Sequence, residues 1–223
     1  MDTETASKID AATANELRVR SVDADVLIKP ADGQEITFTL TGSNTGSYSL
    51  RMQENGTAAE VSVERNAFAR RFFARTPVLE IGLPEESLDQ ASVRTVSGSI
   101  TLQQPGVRHL QAESVSGTIS LEGGDIDALD LHSTSGRILV KTQMARGSVR
   151  TVSGRIEAEI EQLTGDMQFT TVSGRMSAVF PEELPLRYDL QSTTGSITNG
   201  REAQAPQGYV VTMKSTSGAL SLH

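Results

Sequence analysis

The chain has 223 residues, 37% of them hydrophobic and 22% charged, and a formal net charge of −8. That is a globular balance with length for a sizeable core, and its acidity makes nucleic acid an unexpected partner. The absence of cysteine excludes disulfides, thiolate metal sites and cysteine nucleophiles.

Aromatics make up 4% of the chain and tryptophan is absent, so the interior must be filled by aliphatic and small side chains. No stretch approaches the roughly 18 consecutive apolar residues of a membrane span. The first twenty residues lack the apolar segment of a signal peptide, so an export signal or anchor is not expected within this chain.

In chain order, residues 1–14 read as a flexible N-terminal segment, and residues 15–90 as irregular β-coils that cap the N-terminal end of a repeat array. Within them, Ser21 to Ile28 resembles a degenerate copy of a repeat, with Ala24 where later copies carry glycine. Strand-like runs occupy 35–41, 47–52, 59–63 and 78–83, with turns marked by Asp32-Gly33, Gly42, Asn55-Gly56 and Pro84. Between the last two runs, Arg65 to Arg75 gathers four arginines and three phenylalanines. Phe68, Arg70, Arg71, Phe72 and Phe73 there suit either a plug for an open core end or a membrane or partner contact.

Residues 91–223 carry seven copies of one hexapeptide, TVSGSI, SVSGTI, STSGRI, TVSGRI, TVSGRM, STTGSI and STSGAL. Their glycines, Gly98, Gly117, Gly136, Gly154, Gly174, Gly195 and Gly218, are separated by 19, 19, 18, 20, 21 and 23 residues. Two places after each glycine stands Ile, Met or Leu, and positions five and seven before it are mostly apolar. Four places before it stand Arg94, Glu113, His132, Arg150, Thr170, Gln191 and Lys214 on the opposite face. This alternation predicts two short strands per copy around a glycine corner, one face in and one out.

A unit of that size cannot bury its own apolar face, so the copies must stack in register, about 4.8 Å apart and parallel. The predicted fold is all-β, a right-handed parallel β-helix (β-solenoid) of 18–23 residues per coil with an irregular N-terminal β cap. The hydroxyls one and three places before each glycine share parity with the apolar positions, which makes them inward or corner groups bonding the bent backbone. The glycine itself supplies a positive φ or room for the adjacent coil. The last copy runs straight into Ser221-Leu222-His223, which predicts an uncapped C-terminal coil open to self-association or a protein partner.

The T-V-S-G-x-I coils, placed after Leu79, Ile81, Leu83 and Pro84 of an L-x-I-x-L-P segment, resemble the bacterial putative-adhesin family of β-helical domains of unknown function. The resemblance covers residues 15–223 and implies a parallel β-helix of the bacterial cell envelope, related to Lia-type stress-associated proteins. It carries no catalytic residues to transfer.

Arg137, Arg155 and Arg175 occupy the same position after the glycine in three successive copies. Stacked, they form a guanidinium ladder suited to an anionic glycan, an envelope polymer or a lipid head group, unless Glu157, Glu159 and Glu161 neutralise it. Glu122, Asp125, Asp127 and Asp130 read as a solvated turn, and the three histidines show no metal-ligand spacing. No cofactor is implied. The expected function is a non-enzymatic envelope binding or scaffolding domain that docks ligands on its flank. A carbohydrate-active β-helix lyase or hydrolase, or an envelope-stress sensor of cationic peptides, are the alternatives.

Overall fold

The computed structural model describes residues 5–10, 14–42, 47–65, 76–84, 88–201 and 207–223. Among these there is no α-helix; seventeen strands join in one mixed, curled sheet. The segment holding Phe68, Arg70, Arg71, Phe72 and Phe73 lies outside the described residues.

The seven copies generate the parallel part. Upstream of the glycines, β8 (Leu88–Thr95) pairs in parallel with β10 (Val107–Ser114), which pairs with β11 (Ile119–Ser133). The ladder continues through β12 (Arg137–Thr151) to β14 (Met167–Val179). Downstream of the glycines, a second ladder runs from β9 (Ile100–Gln103) through β11, β12 and β13 (Arg155–Leu163) to β14. Each copy therefore contributes one row to both ladders, and the registers superimpose equivalent positions: Ile100↔Ile119↔Ile138↔Ile156↔Met176.

Those five residues are completely buried, as are Leu102 and Ala178 in the next inward column. Both ladders line a single hydrophobic cluster that runs the length of the molecule. The aliphatic composition is a consequence of the geometry. Columns of identical positions about 4.8 Å apart leave little room for large rings, and among the described residues Phe38 and Phe169 are the phenylalanines that rank with the largest fully buried side chains.

The glycine corners work by close approach. None of the seven repeat glycines has a positive φ. Instead, a Cβ on Gly154 would overlap the carbonyl oxygen of Gly136, one row back, and the same holds from Gly98 to Gly174. The hydroxyl three places earlier is buried and turned to the corner: the Gly98 N–H donates to Thr95 Oγ1 (3.1 Å), Gly117 to Ser114 (2.8 Å) and Gly136 to Ser133 (2.9 Å). The hydroxyl one place earlier lies outside, where Ser116 and Ser135 donate to the carbonyls of Val96 and Val115 in the preceding row.

Row order departs from chain order at both ends. The degenerate copy, β2 (Glu16–Ser21) and β3 (Asp25–Pro30), does not form the first row. It lies between β8/β9 on one side and β6 (Ala58–Arg65) with β7 (Val78–Leu83) on the other. Beyond them the sheet turns antiparallel. β5 (Tyr48–Asn55) folds onto β6 through a two-residue loop at Gly56 and Thr57, while β4 (Glu35–Thr41) pairs with β7 and β1 (Thr5–Asp10) pairs with β4. These antiparallel strands close the parallel stack with backbone partners that no parallel copy supplies.

At the other end, β17 (Tyr209–Leu222), which carries the Gly218 copy, pairs with β14 through Gly174↔Gly218. Its far side pairs with β15 (Leu186–Ser192) and β16 (Ile197–Asn199) of the Gly195 copy. The chain's last copy is thus the penultimate row, and the outermost row is residues 186–199. The uncapped end expected at the C-terminal copy is displaced by one row. A staple holds this crossing in place: the Arg201 guanidinium donates to the carbonyls of Phe180, Pro181, Glu182 and Leu184 at 3.0–3.2 Å.

Candidate functional site

The arginine ladder forms as the repeat phase requires. Arg137 is registered with Arg155, and Arg155 with Arg175, on the outer face of β12, β13 and β14. In-register neighbours in a parallel ladder lie about 4.8 Å apart at the backbone, and all three side chains are exposed. The neutralisation available to them is partial. Arg155 Nη1 pairs with Glu157 Oε1 at 3.2 Å. Glu159 instead takes Lys141 (3.0 Å), and its hydrogen bond raises the lysine pKa above the ordinary value. Arg137 and Arg175 have no ion-pair partner among the described residues.

The ladder borders an open depression of about 480 Å³ lined by Ser120, Leu139, Lys141, Arg155, Glu157 and Arg175. On its other side runs the corner, where Val96, Val115, Val152 and Val172 are each 42–50% exposed. Equivalent positions stack there too, since Ser116 N–H bonds the Val96 carbonyl and Ser173 N–H the Val152 carbonyl. The flank therefore presents a column of exposed valines, interrupted by Thr134 in the Arg137 row, beside the column of guanidinium groups. Such a surface can bind by charge-assisted hydrogen bonds and apolar contact.

A second basic cluster was not singled out from the sequence. Arg20 and Arg94 are neighbours in register, with Arg18 two residues away on the same outer face. The signal was present as Arg-Val-Arg alternation in β2, but recognising it required knowing that β2 lies beside β8. Arg18 is bridged by Glu16 (2.6 Å) and Glu60 (2.8 Å), and these hydrogen bonds raise its pKa further. Arg94 pairs with Glu113 at 3.2 Å. Most of this cluster neutralises itself.

The acidic residues do not converge on a centre. Glu122 and Asp125 flank a register shift in β11, where Gly123 and Gly124 take positive φ. Among the described residues, no group of three or more His, Asp or Glu side chains is placed to hold a metal ion. His109 Nδ1 lies 3.3 Å from the Asp89 carbonyl oxygen. No helix among the described residues is long and apolar enough to cross a membrane.

Fold and repeats together define a repeat-built all-β domain. The chain belongs to the Toastrack DUF4097 family, whose model matches residues 14–113 and again 87–222. The double match reflects the internal repetition.

Solved structures share the fold at low identity. One from Bacteroides fragilis NCTC 9343, described as a putative adhesin, is 11% identical with a TM-score of 0.55, covering 100% of this chain and 98% of the other. One from Parabacteroides distasonis ATCC 8503, described as a putative lipid binding protein, is 16% identical with a TM-score of 0.55, covering 97% and 96%. One from Parabacteroides merdae ATCC 43184, also described as a putative adhesin, is 13% identical with a TM-score of 0.50, covering 97% and 95%. No curated protein matches the chain.

Proposed function

We propose that the chain is a non-enzymatic binding and scaffolding domain of the bacterial envelope that docks an anionic ligand along the Arg137–Arg155–Arg175 column. The observation that carries this reading is the placement of three guanidinium groups on consecutive rows while, among the described residues, only the middle one has a carboxylate partner. Like charges stacked at that spacing repel one another, so an anion bridging the rows relieves the repulsion and gains bidentate hydrogen bonds. The ligand class is a polyanion with repeating charge, or a layer of anionic head groups. Either matches a ladder better than a single small anion does.

The reading rests on the two ladders winding as a right-handed parallel β-helix, which makes the flank straight and the spacing regular. Surface location and adhesion are in keeping with the descriptions of the Bacteroides and Parabacteroides proteins. The exposed valines beside the arginines favour a lipid surface among the anionic candidates, because they add apolar contact next to the charge. That is also the ligand class named for the Parabacteroides distasonis protein.

The test compares the wild type with the triple variant Arg137→Ala, Arg155→Ala, Arg175→Ala on three probes: phosphatidylglycerol vesicles, a polyol-phosphate polymer and a uronic-acid glycan. The wild type binds at least one of them and releases it as salt rises. The triple variant binds about tenfold more weakly or worse, equivalent to about 1.4 kcal/mol. Absence of wild-type binding to all three at low salt contradicts the proposal.

A further inference from the structure

We propose that the outermost row, residues 186–199, is a self-association edge on which β15 pairs antiparallel with β15 of a second copy, in a register centred on Tyr188. This inference is independent of the ligand reading above.

The backbone sets the parity. The Tyr209 N–H donates to the Pro185 carbonyl, and the Thr193 N–H donates to the Ser215 carbonyl. In a parallel ladder the bonding residues alternate, so the odd-numbered residues of β15 spend their backbone groups on β17. The N–H and C=O groups of Leu186 and Leu190 point away from it. Among the described residues β15 pairs with no strand but β17. An antiparallel partner must therefore place even-numbered residues opposite even-numbered residues.

The side chains choose among the registers this permits. Arg187 lies on the outer flank and has no ion-pair partner among the described residues, while Asp189, two residues on, lies 3.9 Å from Lys214. Pairing two copies about Tyr188 sets Arg187 against Asp189 of the other copy, twice by symmetry. It also sets Leu186 against Leu190, twice, on the inner face. Sliding by one permitted step in either direction instead opposes Arg187 to Arg187, or Asp189 to Asp189. The central register alone makes both cross-strand pairs attractive, and cross-strand charge pairs are sensitive to this choice.

The end of the core points the same way. In the inward column two places after the glycine, Ile100, Ile119, Ile138, Ile156 and Met176 are fully buried and Leu220 is 1% exposed, whereas Ile197 of the end row is 44% exposed. Tyr188 and Leu190 pack against the core but are only partly buried. A two-fold partner covers these groups and continues both the ladder and the core, which makes the contact isologous and closed. The opposite end of the molecule terminates in the antiparallel strands β5 and β1 and does not offer the same strand, so a head-to-tail filament is not expected.

Sedimentation equilibrium on the chain tests this, reading mass against concentration. The wild type approaches twice its 23.9 kDa mass as concentration rises. Arg187→Asp alone and Asp189→Arg alone each oppose like charges in a homodimer, and each weakens association about tenfold or more. Mixing the two single variants restores the dimer, because every cross-strand pair in the heterodimer is then opposite in charge. The double variant Arg187→Asp/Asp189→Arg dimerises like the wild type. A monomeric wild type at all concentrations, single variants that dimerise undiminished, or a mixture that stays monomeric each overturns the proposal. Restoration by mixing also shows that the single variants are folded.

Discussion

The side chains around each glycine divide into those that satisfy a backbone group and those that do not, and the two kinds respond differently to substitution. Thr95 accepts the Gly98 N–H, whereas Thr151, Thr171 and Ser215 keep buried hydroxyl oxygens with no hydrogen-bond partner among the described residues. Thr95→Val strands a buried donor and costs about 1–3 kcal/mol. Thr171→Val removes an unpartnered polar atom and is neutral or mildly stabilising, so urea melts of the two variants separate them. Gly154→Ala drives a methyl into the Gly136 carbonyl and costs about 2–3 kcal/mol, while Arg155→Ala, exposed one residue away, stays within about 0.5 kcal/mol.

A pH effect belongs to the same scale. Burial, and after it the neighbouring Asp23 carboxylate, raises the Tyr48 pKa, with Arg65 opposing. The folded state holds this proton at pH values where the unfolded chain has lost it. The stabilisation is therefore complete below the ordinary tyrosine value near pH 10 and is lost as pH rises through the raised one. Tyr48→Phe flattens that alkaline loss in thermal melts; an unchanged slope assigns it elsewhere.

At the scale of elements, the C-terminal crossing makes the last strand more important than its place in the chain implies. β17 lies between β14 and the β15/β16 row, and β15 and β16 pair with no other strand among the described residues. Removing residues 207–223 takes buried Val211, Met213, Leu220 and Leu222 from the core. Hydrogen-exchange protection across 186–199 then disappears, and Tm falls by about 10 °C or more. Retained protection there would mean the end row folds without β17.

Much of the row architecture was legible in the sequence. The apolar column, the outward charges and the backbone approach at the glycines all arise from alternation and a fixed period. Row order was not legible, because consecutive elements are normally adjacent and periodicity carries no information about which copy lies beside which. One trace existed. Asn199 stands in a column otherwise filled by Leu102, Leu121, Val140, Ala158, Ala178 and Leu222, and a polar residue there suits an end row. The two longest glycine spacings, 21 and 23 residues, mark the connections that skip a row and return. At the other end, antiparallel strands follow the parallel rows of β2/β3 and β6/β7, because a stack of parallel rows must stop somewhere and an antiparallel strand supplies the missing backbone partner.

For the molecule as a whole, stacked rows turn linear spacing into columns, and every surface feature inherits its regularity from them. The arginine flank runs along the stack, and the β15 edge closes it. The sequence disclosed the flank because all three arginines share one repeat position. It placed an open edge at the last copy, and the inward move of β17 by one row puts that edge on β15 instead. The β15 edge stands on one arrangement, in which Gly174 faces Gly218 and Gly218 faces Gly195. The cysteine-free chain allows this to be read directly. With cysteines at positions 172 and 216, adjacent rows about 4.8 Å apart form a disulfide on mild oxidation. With cysteines at 172 and 193, two rows apart at roughly twice that spacing, no bond forms. The reverse pattern, a bond between 172 and 193 and none between 172 and 216, would contradict the row order and remove the foundation of the β15 edge.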